Sequence, residues 1–230
     1  MIEVFIFILG AVVGSTLACL NYRRRDIKSF IYGKSKCEKC NANIKPMENI
    51  PIISFLFLRG RCSNCNSKID ITNFLYEIAT PICFLLAYHK YGLNYKFYIS
   101  VIQIIFMMSI ALNDLRTQEV YYLDIIILLI FSLVNLFVGD SLIRIVNAVL
   151  IGSIYFIFYK LDMMGDADFM VGAIGGLYSN SYFKCFVMFR NTFVLALVYI
   201  VLMKLIYKKR DEHKMAFCPF IVMGILTVML

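Results

Sequence analysis

The sequence predicts an all-α polytopic membrane protein with about eight transmembrane helices and a small cytoplasmic four-cysteine zinc-binding segment. Three observations predict this class. Of 230 residues, 61% are hydrophobic and 17% charged, against roughly 45–50% and 25% in a soluble domain. Several apolar runs reach the roughly 17–25 residues a helix needs to cross a bilayer. The basic residues collect on alternate loops, as membrane topology requires. A soluble globule could not hide so much apolar surface without aggregating.

The first element, 1–22, is an apolar run followed by Arg23, Arg24 and Arg25. Glu3 stands where a cleavable signal would be basic, and the arginines follow the apolar run instead of preceding it. That order is the reverse of a signal peptide. It predicts a first helix that leaves into the cytoplasm. A hydrophilic segment, 23–72, comes next, rich in Lys, Cys and Asn. Apolar runs then follow at 73–89, 97–113, 123–138, 142–159, 169–183, 186–206 and 215–230. Together they predict a seven-helix membrane bundle over 73–230. The run 169–183 is short and carries Gly172, Gly175 and Gly176. It reads either as a full span with close helix packing or as a re-entrant segment.

Charge tests the count. With both termini outside and the spans alternating, only Lys90, Lys96, Arg144, Lys184 and Arg190 of the 23 basic residues fall outside. Omitting span six would put the cluster 204–214 on the wrong side. The net charge of +8 is then a consequence of topology. Membrane lipids are the expected partners, and nucleic acid is not.

Within 23–72, Cys37 and Cys40 form one CxxC pair, and Cys62 and Cys65 form another. Two such pairs, separated by about twenty residues, suit tetrahedral zinc held by four thiolates. Disulfides are not expected in a reducing cytoplasm. Four ligands close the metal shell, so this zinc is expected to hold structure in a segment too small for a good core. The apolar stretch IPIISFLFL between the pairs is expected to lie on the membrane surface or on the bundle. Cys19, Cys83, Cys185 and Cys218 are isolated in apolar runs and read as packing residues. His89 and His213 stand alone in loops.

Asp114 ends the third span, and Asp166 lies between the fifth and sixth, so the topology puts both at the inner face. Asp162 and Asp124 are the nearest competitors. Each acid could simply cap a helix or pair with Arg116 or Lys160. Two acids at one membrane face also suit chemistry. Neighbouring carboxylates share a proton: one takes a proton from attacking water, and the other gives one to the carbonyl oxygen. No HExxH motif or Cys–His couple offers another hydrolytic route. From the residues alone, an aspartyl hydrolase and an ion-coupled transporter both stay open. So does a structural zinc-bearing part of a secretion machine that needs neither acid.

The chain resembles the type IV prepilin peptidases over nearly its whole length. Gly14-Ser15 and Tyr22-Arg23 match the family's GSFLNVVIYR, and ENIPIISFLFLRGRCSNC matches DNIPILSWLLLRGRCRYC. Glu77 stands where YPLVE ends. NDLRTQEVYY resembles DLRTREIPD, MMGDADF resembles GMGDVKL, and MAFCPFIVMG resembles IPFGPFLALG. The departures are Ala18 for Asn, Tyr121-Tyr122 for Pro-Asp, Met163 for Gly and Asp168 for Lys.

The resemblance implies an eight-span bacterial inner-membrane aspartyl endopeptidase whose catalytic residues are Asp114 and Asp166. Its substrates would be type IV prepilins or pseudopilins, cut after a short basic leader on the cytoplasmic side. It also implies N-methylation of the new N-terminus with S-adenosylmethionine by the cysteine-bearing segment. Glu48, Arg59, Arg61 and Glu77 are the implied contributors to cofactor binding. The segment 23–72 and the leader are both basic, so long-range attraction between them is not expected. Acids at a substrate rim, Asp162 and Asp168, would have to recognise the leader.

Overall fold

The computed structural model describes residues 1–24, 28, 30, 33, 35–37, 39–137, 141–207 and 215–230. Arg25, Lys34, Lys208, Lys209, Arg210, His213 and Lys214 lie outside the described residues. Among the described residues the chain is helical, and β-pairing is confined to two isolated bridges. It divides into two compact units, Met1–Ile105 and Phe106–Leu230.

The first unit holds α1 (Ile2–Arg23), the short α2 (Ile53–Phe57), α3 (Ile71–Tyr91) and the start of α4 (Tyr95–Thr117). Helix α3 begins where Asp70 accepts the Thr72 N–H at 2.9 Å, and ends at Gly92, whose φ of 61° suits glycine. Helices α1 and α3 run antiparallel. His89 near the end of α3 lies 3.6 Å from Glu3 at the start of α1. Further along, a Cβ on Gly14 would come within 2.6 Å of the Tyr76 carbonyl. The close approach therefore depends on the missing side chain. This pairing brings Arg23 and Asp70 to one end, so the cysteine segment leaves and returns there. Phe55 from IPIISFLFL stacks on Phe74 of α3, with ring centroids 4.4 Å apart, while Leu56 and Phe57 stay exposed.

The second unit holds the end of α4, then α5 (Tyr122–Leu133) continued by a 3₁₀ turn, Val134–Phe137. Helices α6 (Ser141–Lys160), α7 (Asp166–Gly176), α8 (Tyr182–Tyr207) and α9 (Cys218–Met229) follow. Among the described residues, five helices are long and apolar enough to cross a membrane: Ile2–Arg23, Ile71–Tyr91, Tyr95–Thr117, Ser141–Lys160 and Tyr182–Leu205. The other three expected spans fold as shorter helices, α5 with its 3₁₀ turn, α7 and α9.

Helix α7 differs most from expectation. Its 11 residues rise about 16 Å, roughly half the ~30 Å hydrocarbon core. It starts at Asp166, three residues earlier than the apolar run suggests, because Gly165 is extended and its N–H is taken by Asp168 Oδ2 at 3.1 Å. It stops at Gly176 because side chains from α6 satisfy the carbonyls beyond. Arg144 donates to the Leu177 carbonyl at 3.0 Å, and Asn147 to that of Ser179 at 2.9 Å. The Tyr178 hydroxyl also meets Ser132 of α5 at 2.7 Å.

Helices α6 and α7 meet along a seam where glycines of α7 admit the Tyr155 ring and the Ala148 backbone of α6. A Cβ on Gly176 would strike the Ala148 backbone, and one on Gly172 would strike the Tyr155 ring. Tyr155 is fully buried, so its ring has nowhere to retreat. Gly176→Val should therefore lower stability by about 1–3 kcal/mol. Thermal unfolding in detergent should show this, while Leu205→Ala, at a site 71% exposed, should leave the midpoint nearly unchanged. Equal midpoints for the two variants would contradict the seam.

Candidate functional site

The cysteine segment of the first unit is built from two copies of one small knuckle. In the first, Cys37 N–H donates to the Ala42 carbonyl at 2.9 Å and Asn41 N–H to that of Cys37 at 3.0 Å. In the second, Cys62 N–H donates to Ser67 at 2.9 Å and Asn66 N–H to Cys62 at 2.9 Å. Asn41 and Asn66 both adopt the left-handed region, with φ of 57° and 56°, a conformation asparagine tolerates. The sequence signal of this turn is the pattern CxxCN, which occurs at 37–41 and again at 62–66.

The four sulfurs lie within 4.8 Å of one another, with Cys37 and Cys65 3.9 Å apart. Zinc–sulfur bonds of about 2.3 Å in a tetrahedron put sulfurs roughly 3.8 Å apart, so the donor set fits zinc. All four cysteines are free thiols. The backbone N–H groups of Cys40 and Lys39 point at the Cys37 sulfur and hold its pKa at about 6. At neutral pH that favours the thiolate, which is the metal-binding form.

Beside the knuckles is a cavity of about 420 Å³, lined in part by Cys37, Cys62, Asn64, Glu48 and Glu77. That volume lies in the range of small-molecule sites. Arg59 and Arg61 do not line it and are exposed. Glu77 also has a structural contact, accepting the Ile52 N–H at 2.7 Å where Ile52 adopts a φ of 64°. Arg59 and Gly60 both turn in the left-handed region, with φ of 51° and 66°.

In the second unit the acids gather at one end. The end of α4 and the first turns of α5, α7 and α9 meet there. Asp114 is 8% exposed, and its Oδ2 accepts the Cys218 N–H of α9 at 3.0 Å. A carboxylate at a helix N-terminus is favourably placed. Asp168 is also 8% exposed. A carboxylate oxygen of Asp114, one of Asp168 and the Cys218 sulfur all lie within 4.8 Å of one another.

Asp166 is exposed; its Oδ2 accepts the Tyr122 hydroxyl, and its Oδ1 the Ala167 N–H at 2.9 Å. Residues two apart on a helix point about 200° apart. Asp166 and Asp168 therefore cannot both face the interior. The α6–α7 seam turns Asp168 inward, whereas the sequence reading set it on the rim. Asp162 is exposed, with a φ of 55°. Asp124 is buried and accepts the Ser109 hydroxyl at 2.8 Å. Cys218, read from sequence as a packing residue, and Tyr122, read as a departure, are the two site neighbours that the sequence had not marked.

Residues 8–91 match the Bacterial Peptidase A24 N-terminal domain. The prepilin leader peptidase/N-methyltransferase of Myxococcus xanthus (strain DK1622) is 30% identical over 115 residues. That match covers 50% of this chain and 34% of the relative's length. No solved structure matches. The A24 match spans the four cysteines and ends before Asp114.

A closed four-thiolate shell should hold its metal tightly. Chain purified without chelator should keep one zinc through gel filtration, and Ser at Cys37, Cys40, Cys62 or Cys65 should release it. Elemental analysis that finds the same zinc content in all four variants would contradict the site.

Proposed function

We propose, for a chain whose A24 match and curated relative support the type IV prepilin peptidase family, that it is a bacterial inner-membrane aspartyl endopeptidase. Its substrates are type IV prepilins or pseudopilins, cut after the short basic leader at the cytoplasmic face. The observation that carries this reading is the gathering of Asp114 and the first turn of α7 at one end of the second unit. Asp166, exposed and steadied by Tyr122, is the carboxylate that takes a proton from attacking water. Asp114, buried on the Cys218 N–H, is the acid that serves the carbonyl oxygen. Asp162, exposed one turn before α7, is the rim acid for the basic leader.

In this reading the five long helices and the three shorter ones make up the eight spans. The organisation is a first helix over 1–22, a cytoplasmic segment over 23–72 and a seven-helix bundle over 73–230. Exposed Met47, Ile53, Leu56 and Phe57 rest on membrane lipid. Zinc on the four cysteines holds the segment in shape. The cavity beside them takes S-adenosylmethionine for N-methylation of the new N-terminus, with Glu48 and Glu77 facing its positive sulfonium. Arg59 and Arg61, outside that lining, contribute by shaping the turn that carries Cys62.

Cleavage of a prepilin, read by mass spectrometry, tests the peptidase. Asp114→Asn and Asp166→Asn should each lower the rate by about 10²–10⁴. The double variant should be little worse, because residues acting as a unit are not additive. Near-normal cleavage by Asp166→Asn would overturn the assignment.

Methylation should separate from cleavage. Glu77→Gln keeps an acceptor for the Ile52 N–H but removes the charge. It should reduce methylated product at least tenfold while leader removal continues. Equal loss of both activities would contradict the separate cofactor cavity.

A further inference from the structure

The cluster of Asp114, Asp168 and Cys218 has a donor set that peptide hydrolysis does not require. Its three side chains are 8%, 8% and 1% exposed. Each carboxylate receives one backbone N–H, from Cys218 and from Gly165. Asp168 Oδ1 is buried and unpaired, while the Cys218 thiol lies within reach of the same carboxylate. Among the described residues neither carboxylate has a basic group at ion-pair distance. Two helix N-termini offset only part of the cost of burying carboxylates side by side, and no full counter-charge faces them. A divalent cation would supply that charge and give Asp168 Oδ1 a partner.

The donors select the ion. Calcium and magnesium take oxygen ligands, whereas two oxygens and a sulfur suit a borderline ion such as zinc. Around tetrahedral zinc, ligand atoms stand roughly 3.3–3.8 Å apart. The donors here lie within 4.8 Å of one another, a separation that small side-chain rotations would close. Three protein ligands leave the fourth position open, as in an exchangeable site.

We propose that Asp114, Asp168 and Cys218 bind one exchangeable divalent ion of the zinc class, separate from the four-cysteine zinc. Occupancy draws Asp114 into the metal shell and withdraws it from peptide hydrolysis, so the ion acts as a reversible brake. The brake rests on the peptidase reading; the metal site does not.

Equilibrium dialysis of the full-length purified chain against zinc tests the site. The chain should bind two zinc ions, one tight and one exchangeable. Cys218→Ala and Asp168→Asn should each lose the exchangeable ion and keep the tight one, with thermal unfolding midpoints in detergent near that of the unaltered chain. Cadmium loading should give the unaltered chain the absorption of one more thiolate than Cys218→Ala shows, the four-cysteine site contributing equally to both. A single zinc per chain, or a second that survives both variants, overturns the site.

Zinc that fills the second site should slow prepilin cleavage at least tenfold relative to the rate with only the tight zinc bound. In Cys218→Ala the ratio of the two rates should return to about one. Unslowed cleavage with the second site filled overturns the brake. A chain that cleaves no prepilin refutes the peptidase reading instead, and leaves zinc stoichiometry to decide the site.

Discussion

The second unit depends on the seam where α7 lies against α6 with glycine in place of side chains. Gly172 and Gly176 leave room only for the Tyr155 ring and the Ala148 backbone. Any side chain there would push α7 outward or rotate it. The rotation of α7 decides which of its first-turn acids faces inward. Gly175 on the same helix meets Met188 of α8 and Ile225 of α9, so the seam continues on the opposite side. Helices α7 and α9 then run in parallel, with Asp168 level with Cys218 and Gly175 level with Ile225. Their N-termini arrive together beside Asp114, and two helix dipoles favour negative charge at that point.

The first unit meets its constraint differently. A segment of about fifty residues cannot bury enough apolar surface to fold alone. It is anchored at both ends by the antiparallel α1–α3 pair, and by Phe55 stacked on Phe74. The knuckles then need only to bring four sulfurs together, and one asparagine in left-handed geometry closes each turn. The cavity is a by-product of that arrangement. It lies between the knuckles and the start of α3, which explains why Glu48, Cys62 and Glu77 line a common space although they are far apart in sequence.

Some of this was legible in the residues. The apolar runs announce helices because no other structure satisfies backbone polar groups in lipid. The CxxC spacing announces the sulfur cluster because four thiols at those intervals have few other uses. The C-terminal end of α7 was not legible, since Asn147 and Arg144 fix it from another helix. The inward turn of Asp168 was only half legible. The spacing of Asp166 and Asp168 says that one of them must face away, and the α6–α7 seam chooses which. Cys218 gave no sign, because an isolated cysteine in an apolar run looks like any packing residue.

Cross-linking to the native Cys218 tests the geometry of the acid cluster most directly. Asp168→Cys and Asp166→Cys would each be made in the full chain, oxidised in membranes, and mapped by mass spectrometry of the proteolytic fragments. The account predicts a disulfide from position 168 to Cys218 and none from position 166. A disulfide from position 166, with none from 168, would contradict it.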